Sequence, residues 1–367
     1  MIYYRHGGLN LIFILGFLTS LVSSHDSRFD RFFPVWSHYL SGYRDNNCTL
    51  ERDAYYTDQV DPNFKAVLLA DCMLKCMAEY IKVEMAVVSL IFGLLPSTLF
   101  LIGPTQDEIA VLALRRPFLI TLAGISMPSL LLPDGTTSDL ELRLSRSVDP
   151  TFRPWNLAVP PIWLTAMVSA CEYILAGLAV ANTVYQAYQL AFWSISISSM
   201  ALVSGPLPKT YGPFLWGFLT ILVYIMNFGA FCLTYKENRK RHTNWRGNLS
   251  RLFGNEITPC MYGKPMSLTA KRRTYHSMIA SFFVNAGVIF LLVYSTILLS
   301  SQIFISLGDA VPVLARYFAG SLVCRGIMEF ELRGMREAGT SMWGGLSNSV
   351  GFEARLSYNL VPCFSII

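Results

Sequence analysis

Charge is scarce in this chain. Charged residues make up 14% of its 367 positions, against about 25% in a typical soluble domain. Too few polar side chains remain to coat a water-soluble globule of this size, and 53% of the residues are apolar. The same shortage excludes a nucleic-acid-binding module and a disordered tail protein, because both depend on dense charge. Histidine is also sparse, with five residues (His6, His25, His38, His242 and His276), none in a metal-binding spacing. No HExxH pair, GxSxG elbow, P-loop or GxGxxG turn occurs. Cys363 stands fifth from the end, so no prenylation box is present. The eight cysteines are too dilute in 367 residues for a disulfide-rich mini-protein. No catalytic constellation is visible, so neither an enzymatic activity nor a cofactor or metal is expected.

What remains is a membrane protein. Mean hydropathy is +0.42. Residues 1–24 read as a secretory signal, with basic Arg5 and His6 ahead of the apolar run Leu11–Val22. Small residues near position 24 suit cleavage; an uncleaved anchor is the alternative. Residues 25–82 then form a lumenal or extracellular segment. Asn47-Cys48-Thr49 fits a glycosylation acceptor. Cys48, Cys72 and Cys76 lie in the same segment, and an oxidising lumen favours pairing. Cys72 and Cys76 sit one turn apart on an expected helix, a poor geometry for bonding each other. Cys48 therefore pairs with one of them.

Four runs reach the roughly 20 residues needed to cross a bilayer: Val83–Ile102, Ile162–Asn182, Gly212–Leu233 and Met278–Leu299. The expected fold is thus an all-α polytopic bundle of about four transmembrane helices with re-entrant or interfacial pieces. Pro117–Leu132 is bracketed by prolines and short, so it suits a re-entrant or interfacial element; Ala187–Val203 is serine-rich and ambiguous. Between the third and fourth runs, residues 236–273 hold ten bases against two acids, a balance of +8. Lys236, Arg239, Lys240, Arg241, Lys271, Arg272 and Arg273 flank the spans most closely. Such a loop belongs on the cytosolic side, which makes Asn248-Leu249-Ser250 a false glycosylation match. Outside it the chain has 19 bases and 22 acids, so the overall +5 comes from this loop. A lumenal start and a cytosolic basic loop require an odd number of crossings before residue 235, and three is the simplest count.

Glu172 lies midway along the second run, where an ionised carboxylate must face protein or water. It is either a proton- or ligand-binding group or a hydrogen-bonded packing residue on the face shared with Ser169, Ala176 and Ala179. Asp309–Leu332 reads as an amphipathic helix lying at the interface, with Asp309, Arg316, Arg325, Glu329 and Glu331 on its polar side. Arg325 and Glu329 are spaced to pair. Asp107–Ala113 is similar to Asp309–Ala315, and each precedes arginine, a hint of an inverted repeat.

Four stretches carry a resemblance. They are Gly93-Leu-Leu-Pro-Ser97, Ala113-Leu-Arg-Arg-Pro117, Ala170-Cys-Glu-Tyr-Ile-Leu175 with Asn182, and Asp309 followed by Ala315-Arg-Tyr, Val323-Cys-Arg325 and Phe330-Glu-Leu. Their order over residues 45–335 resembles a group of uncharacterised multi-pass membrane proteins of filamentous fungi. The resemblance implies a secretory-pathway or plasma-membrane protein with a cysteine-bearing lumenal segment, and it transfers no activity. The tail, residues 336–367, falls outside it.

Three functions remain open: an accessory or receptor-like protein whose lumenal segment binds a protein partner, a small-solute transporter or channel using Glu172 with Asp309 and Arg316, and, weakest, a membrane enzyme or accessory factor in secondary metabolism. The bilayer is the one partner expected in each case.

Overall fold

The computed structural model describes residues 29–57, 62–127, 161–198, 212–237, 254, 256–260, 268–270 and 274–347. The expected signal, the 134–160 loop, the C-terminal tail beyond Ser347, and Arg239, Lys240, Arg241, Lys271, Arg272 and Arg273 lie outside the described residues. Lys236 lies within a short strand.

The fold is all-α. Three short helices, α1 (Ser37–Gly42), α2 (Thr49–Thr57) and α3 (Pro62–Cys76), precede α4 (Glu79–Ile102). Then come α5 (Gln106–Arg115), α6 (Pro117–Ser126), α7 (Ile162–Phe192), α8 (Gly212–Thr234), α9 (Tyr275–Ser300) and α10 (Leu307–Ser347). Among the described residues, β-structure is limited to two short antiparallel pairings. β1 (Ile195–Ser196) pairs with β4 (Gln302–Ile303), and β2 (Tyr235–Glu237) with β3 (Leu268–Ala270).

Among the described residues, five helices are long and apolar enough to cross a membrane: α4, α7, α8, α9 and the Leu307–Met335 part of α10. The fifth covers Asp309–Leu332, expected as an interfacial helix, and by length and composition it is also able to span. Two of its acids meet protein instead of water: Glu331 is 1% exposed and Asp309 is buried too, while Arg316 is exposed and Arg325 and Glu329 are partly so. Asp309 accepts from Ser306 Oγ at 2.8 Å and from the Val35 N–H at 3.2 Å. Charges satisfied in this way do not need the interface. The second span is also longer than expected. It runs through Phe192 because residues 183–192 contain no glycine or proline to stop it. Among the described residues, three of the five candidate spans precede the basic segment.

The five long helices close into a ring. α4 packs on α9, α9 on α8, α8 on α7, α7 on α10, and α10 back on α4. Leu90, Leu94, Ile174, Leu178, Phe282 and Phe290 stay exposed on the outside of these helices, as lipid-facing positions would. The α5–α6 pair lodges among α7, α8 and α10. Ile109, Val111, Leu112, Ile120, Ala123 and Met127 of this pair share one core with Ala179, Val223, Val288 and Met328. The pair is thus a plug in one half of the ring. Its fit is close: a Cβ at Gly124 would meet the Tyr224 ring at 3.0 Å, and Tyr224 donates its hydroxyl to the Met127 carbonyl at 3.0 Å.

The ends of the ring are distinct. At one, α1–α3 form a small lobe around Phe29, Trp36, Leu40, Leu69 and Met73, which packs on Ile195 and Phe304 beside the β1–β4 pairing. Cys48 and Cys72 are disulfide-bonded there, and Cys76 is free. Arg44 links the lobe internally, donating to the Phe29 carbonyl at 2.5 Å and to Asp45 Oδ1 at 2.7 Å. That guanidinium holds the Asp45 carboxyl below its ordinary range. At the other end lie the β2–β3 pairing and the turn around Glu256–Cys260.

Candidate functional site

The bend between α5 and α6 is dictated by Arg116-Pro117. The proline ring crowds the residue before it and disfavours helical conformation there, and Arg116 adopts φ −129° and ψ 67°. It closes α5, and Pro117 opens α6 at the position where its missing N–H does no harm. The Arg116 side chain projects from this break into the bundle and is 0% exposed.

Three segments supply its surroundings. Ser169, Glu172 and Tyr173 come from one face of α7 at i, i+3 and i+4 spacing, Glu331 from α10, and Glu256 from the turn before Cys260. Arg116 Nη1 donates to Glu172 Oε2 and to Glu331 Oε1, the latter at 2.6 Å. Nη2 donates to Ser169 Oγ at 2.6 Å and to the Glu256 carbonyl at 2.9 Å. The guanidinium also lies over the Tyr173 ring, 5.5 Å from its centroid. The Glu256 carboxylate accepts from the Phe118 N–H at 2.8 Å and from the Tyr173 hydroxyl. Glu331 Oε2 accepts from the Cys260 N–H at 3.0 Å.

All three carboxylates are buried. Burial pushes the Glu256 carboxyl above its ordinary range, opposed by the Tyr173 hydroxyl, the Phe118 N–H and Arg116. Burial likewise raises the Cys260 thiol, and nearby Glu331 adds to the effect. Arg116 remains charged because its carboxylate neighbours outweigh desolvation. Arg115, also buried, lies alongside. Even with Arg115 counted, three acids face two bases. Among the described residues, the site therefore carries one acid more than its bases balance. Two buried atoms here have no hydrogen-bond partner, Arg116 Nε and Glu172 Oε1.

No protein-family model, curated protein or solved structure matches this chain. The site must be read from its own geometry.

Of the residues singled out in the sequence, Glu172 belongs to this centre together with Ser169 from its own face and Glu331 from the 309–332 helix. Asp309 lies at the opposite end, against the lobe, so it does not share a site with Glu172. Arg316 packs over the Tyr185 ring at 5.9 Å, and its backbone carbonyl accepts from Asn182 at 2.9 Å. Arg325 pairs with Glu108 at 2.7 Å and with Glu329 at 3.7 Å. Asp107 and Asp309 both stand in the first turn of a helix, but α5 has 10 residues and α10 has 41. Each follows a long apolar helix, α4 in one case and α9 in the other. Asn47 is exposed at the end of a single π-helical turn, Tyr43–Asn47, and so lies open to modification.

Arg116, Glu256 and Glu331 were not recognisable as site residues beforehand. One signal did exist. An arginine immediately before a proline, heading an apolar segment, needs a buried anion, and Glu172 needed a cation. Three of the four stretches that carry the resemblance supply Arg116, Glu172 and Glu331.

Proposed function

We propose that the protein is a small-solute transporter in which the Arg116 centre is a proton-dependent lock on the α5–α6 plug. The observation that carries this reading is the surplus acid in a buried cluster that ties the plug to two spans and a loop. A buried net charge is expensive to leave uncompensated, so the cluster takes up a proton or a cation. Loss of that proton repels the carboxylates from one another and loosens their shared hold on Arg116. Polar groups elsewhere in the ring support a solute path. Both amide atoms of Gln186, Gln189 Oε1, the indole nitrogens of Trp193 and Trp216, and Ser321 Oγ are buried without protein partners. Such groups call for water or a polar ligand.

The test uses reconstituted vesicles loaded with a pH-sensitive dye and challenged with Na⁺, K⁺, neutral amino acids and sugars. Wild-type protein is expected to couple proton movement to one of these, and Glu172→Gln to reduce that coupling by tenfold or more, about 1.4 kcal/mol in barrier terms. A wild type silent with every solute sinks the transporter reading. That result would favour the second reading, an accessory protein that binds a partner through its lobe, where Tyr39, Leu50, Phe64, Val67 and Leu68 are exposed.

In the proposed orientation the lobe is lumenal and the Arg116 end cytosolic, supported by the basic segment between α8 and α9. Expression in a glycosylating host is expected to give a glycosidase-sensitive mobility shift that Asn47→Gln removes. A shift removed instead by Asn248→Gln would invert the orientation.

A further inference from the structure

We propose that Cys76 is an exchange thiol for the Cys48–Cys72 disulfide, so that the lobe alternates between two disulfide isomers. The Sγ atoms of Cys48, Cys72 and Cys76 all lie within 4.8 Å of one another. Cys48 and Cys72 are bonded, Cys76 is free and only half-buried, and no other group of three metal-type ligands occurs among the described residues. With two of the three sulfurs already joined, the cluster cannot offer three thiolates to a metal. Its available chemistry is thiol–disulfide exchange, in which a thiolate attacks one sulfur of a neighbouring disulfide.

The direction follows from the helix. Cys72 and Cys76 occupy α3 one turn apart, and a bond between them suits neither side chain. Attack on Cys48 has no such obstacle. The Cys76 thiolate attacks Cys48 Sγ, the Cys48–Cys76 bond forms, and the Cys48–Cys72 bond breaks. Cys72 leaves as a thiolate and takes up the proton that Cys76 gave up. One disulfide is exchanged for another, so no external oxidant or reductant is needed.

The exchange moves the tether four residues along α3, about 6 Å at the helical rise. α3 leads through Met77 and Ala78 directly into α4, and its Asp71, Leu74 and Lys75 line an open groove of about 430 Å³ with Lys82, Met85 and Ser89 of α4. The two isomers therefore present different groove walls at the head of the first span.

The experiment is disulfide mapping of the full-length protein in detergent. N-ethylmaleimide is added after increasing hold times, followed by non-reducing digestion and mass spectrometry. Wild type is expected to yield both Cys48–Cys72 and Cys48–Cys76 linked peptides, with label on Cys76 and on Cys72. Cys76→Ser is expected to lose all label on Cys72. Cys72→Ser is expected to retain a disulfide, now Cys48–Cys76. Wild-type label confined to Cys76, with Cys48–Cys72 as the sole linkage at every hold time, would overturn the proposal. That wild-type readout decides the matter even where Cys72→Ser fails to fold.

Discussion

Replacing Arg116 with alanine is expected to destabilise the protein by about 3–5 kcal/mol, the range for breaking a buried ion pair from one side. The loss should reach at least the top of that range, because the guanidinium serves Glu172, Glu331, Ser169 and the Glu256 carbonyl together. Removing it leaves three buried carboxylates facing one another and takes away the anchor of the plug. In detergent this should lower the thermal midpoint by on the order of 10 °C. Arg116→Lys is expected to recover only part of the loss, since one ammonium cannot serve both the carboxylates held by Nη1 and the Ser169 and Glu256 oxygens held by Nη2. Adding Glu331→Gln to Arg116→Ala should restore part of the stability, because it removes one of the stranded charges. Should the alanine variant melt like wild type, the centre would be energetically idle and the lock would fail with it.

The second large effect is at the opposite end. Cys48→Ser removes the one sulfur that either Cys72 or Cys76 can engage. The disulfide spans a sequence separation of 24 residues, for which loop closure contributes about 3 kcal/mol through the unfolded chain. The lobe should lose about that much, read as faster proteolysis of residues 29–76 than of the helical ring. Cys72→Ser should lose markedly less, since Cys76 can take over the bond. Equal losses in the two variants would mean that Cys76 does not substitute. The lobe packs on Ile195 and Phe304, so its loosening should also reach the β1–β4 end of the ring.

Much of the fold was legible because apolar runs of bilayer length leave few alternatives. α4, α8 and α9 fall within a few residues of the expected spans. α7 overran its expected end because the serine-rich stretch from Ala187 left the end of the span ambiguous, whereas nothing up to Phe192 breaks the helix. α10 was ambiguous for a related reason. Its charges are regularly spaced, and spacing alone does not distinguish a face turned to water from one turned to buried partners. Glu331 is the clearest case. It belongs to the polar side of an amphipathic pattern, yet its partner is Arg116, 215 residues away in the chain.

The centre itself was half visible. Glu172 stood out because a carboxylate in an apolar run demands explanation. Arg116 did not, because it belongs to an Arg-Arg pair beside a proline, a composition that also suits an exposed loop. Glu256 was hidden among ten bases that argue only about orientation. Long-range pairing of this kind is set by how the α5–α6 plug enters the ring, which depends on packing among four elements. The cysteine cluster was closer to the surface of the sequence: spacing excluded the Cys72–Cys76 bond and left two partners for Cys48, and the structure holds all three sulfurs within reach.

The central claim, that the buried centre around Arg116 holds an exchangeable proton, is tested most directly by infrared difference spectroscopy across a pH titration of the full-length protein. Wild type is expected to show a protonated-carboxyl stretching band at neutral pH that disappears on raising the pH, and that is absent in Glu172→Gln or Glu331→Gln. A neutral-pH spectrum without such a band, or a band untouched by both substitutions, would contradict the account.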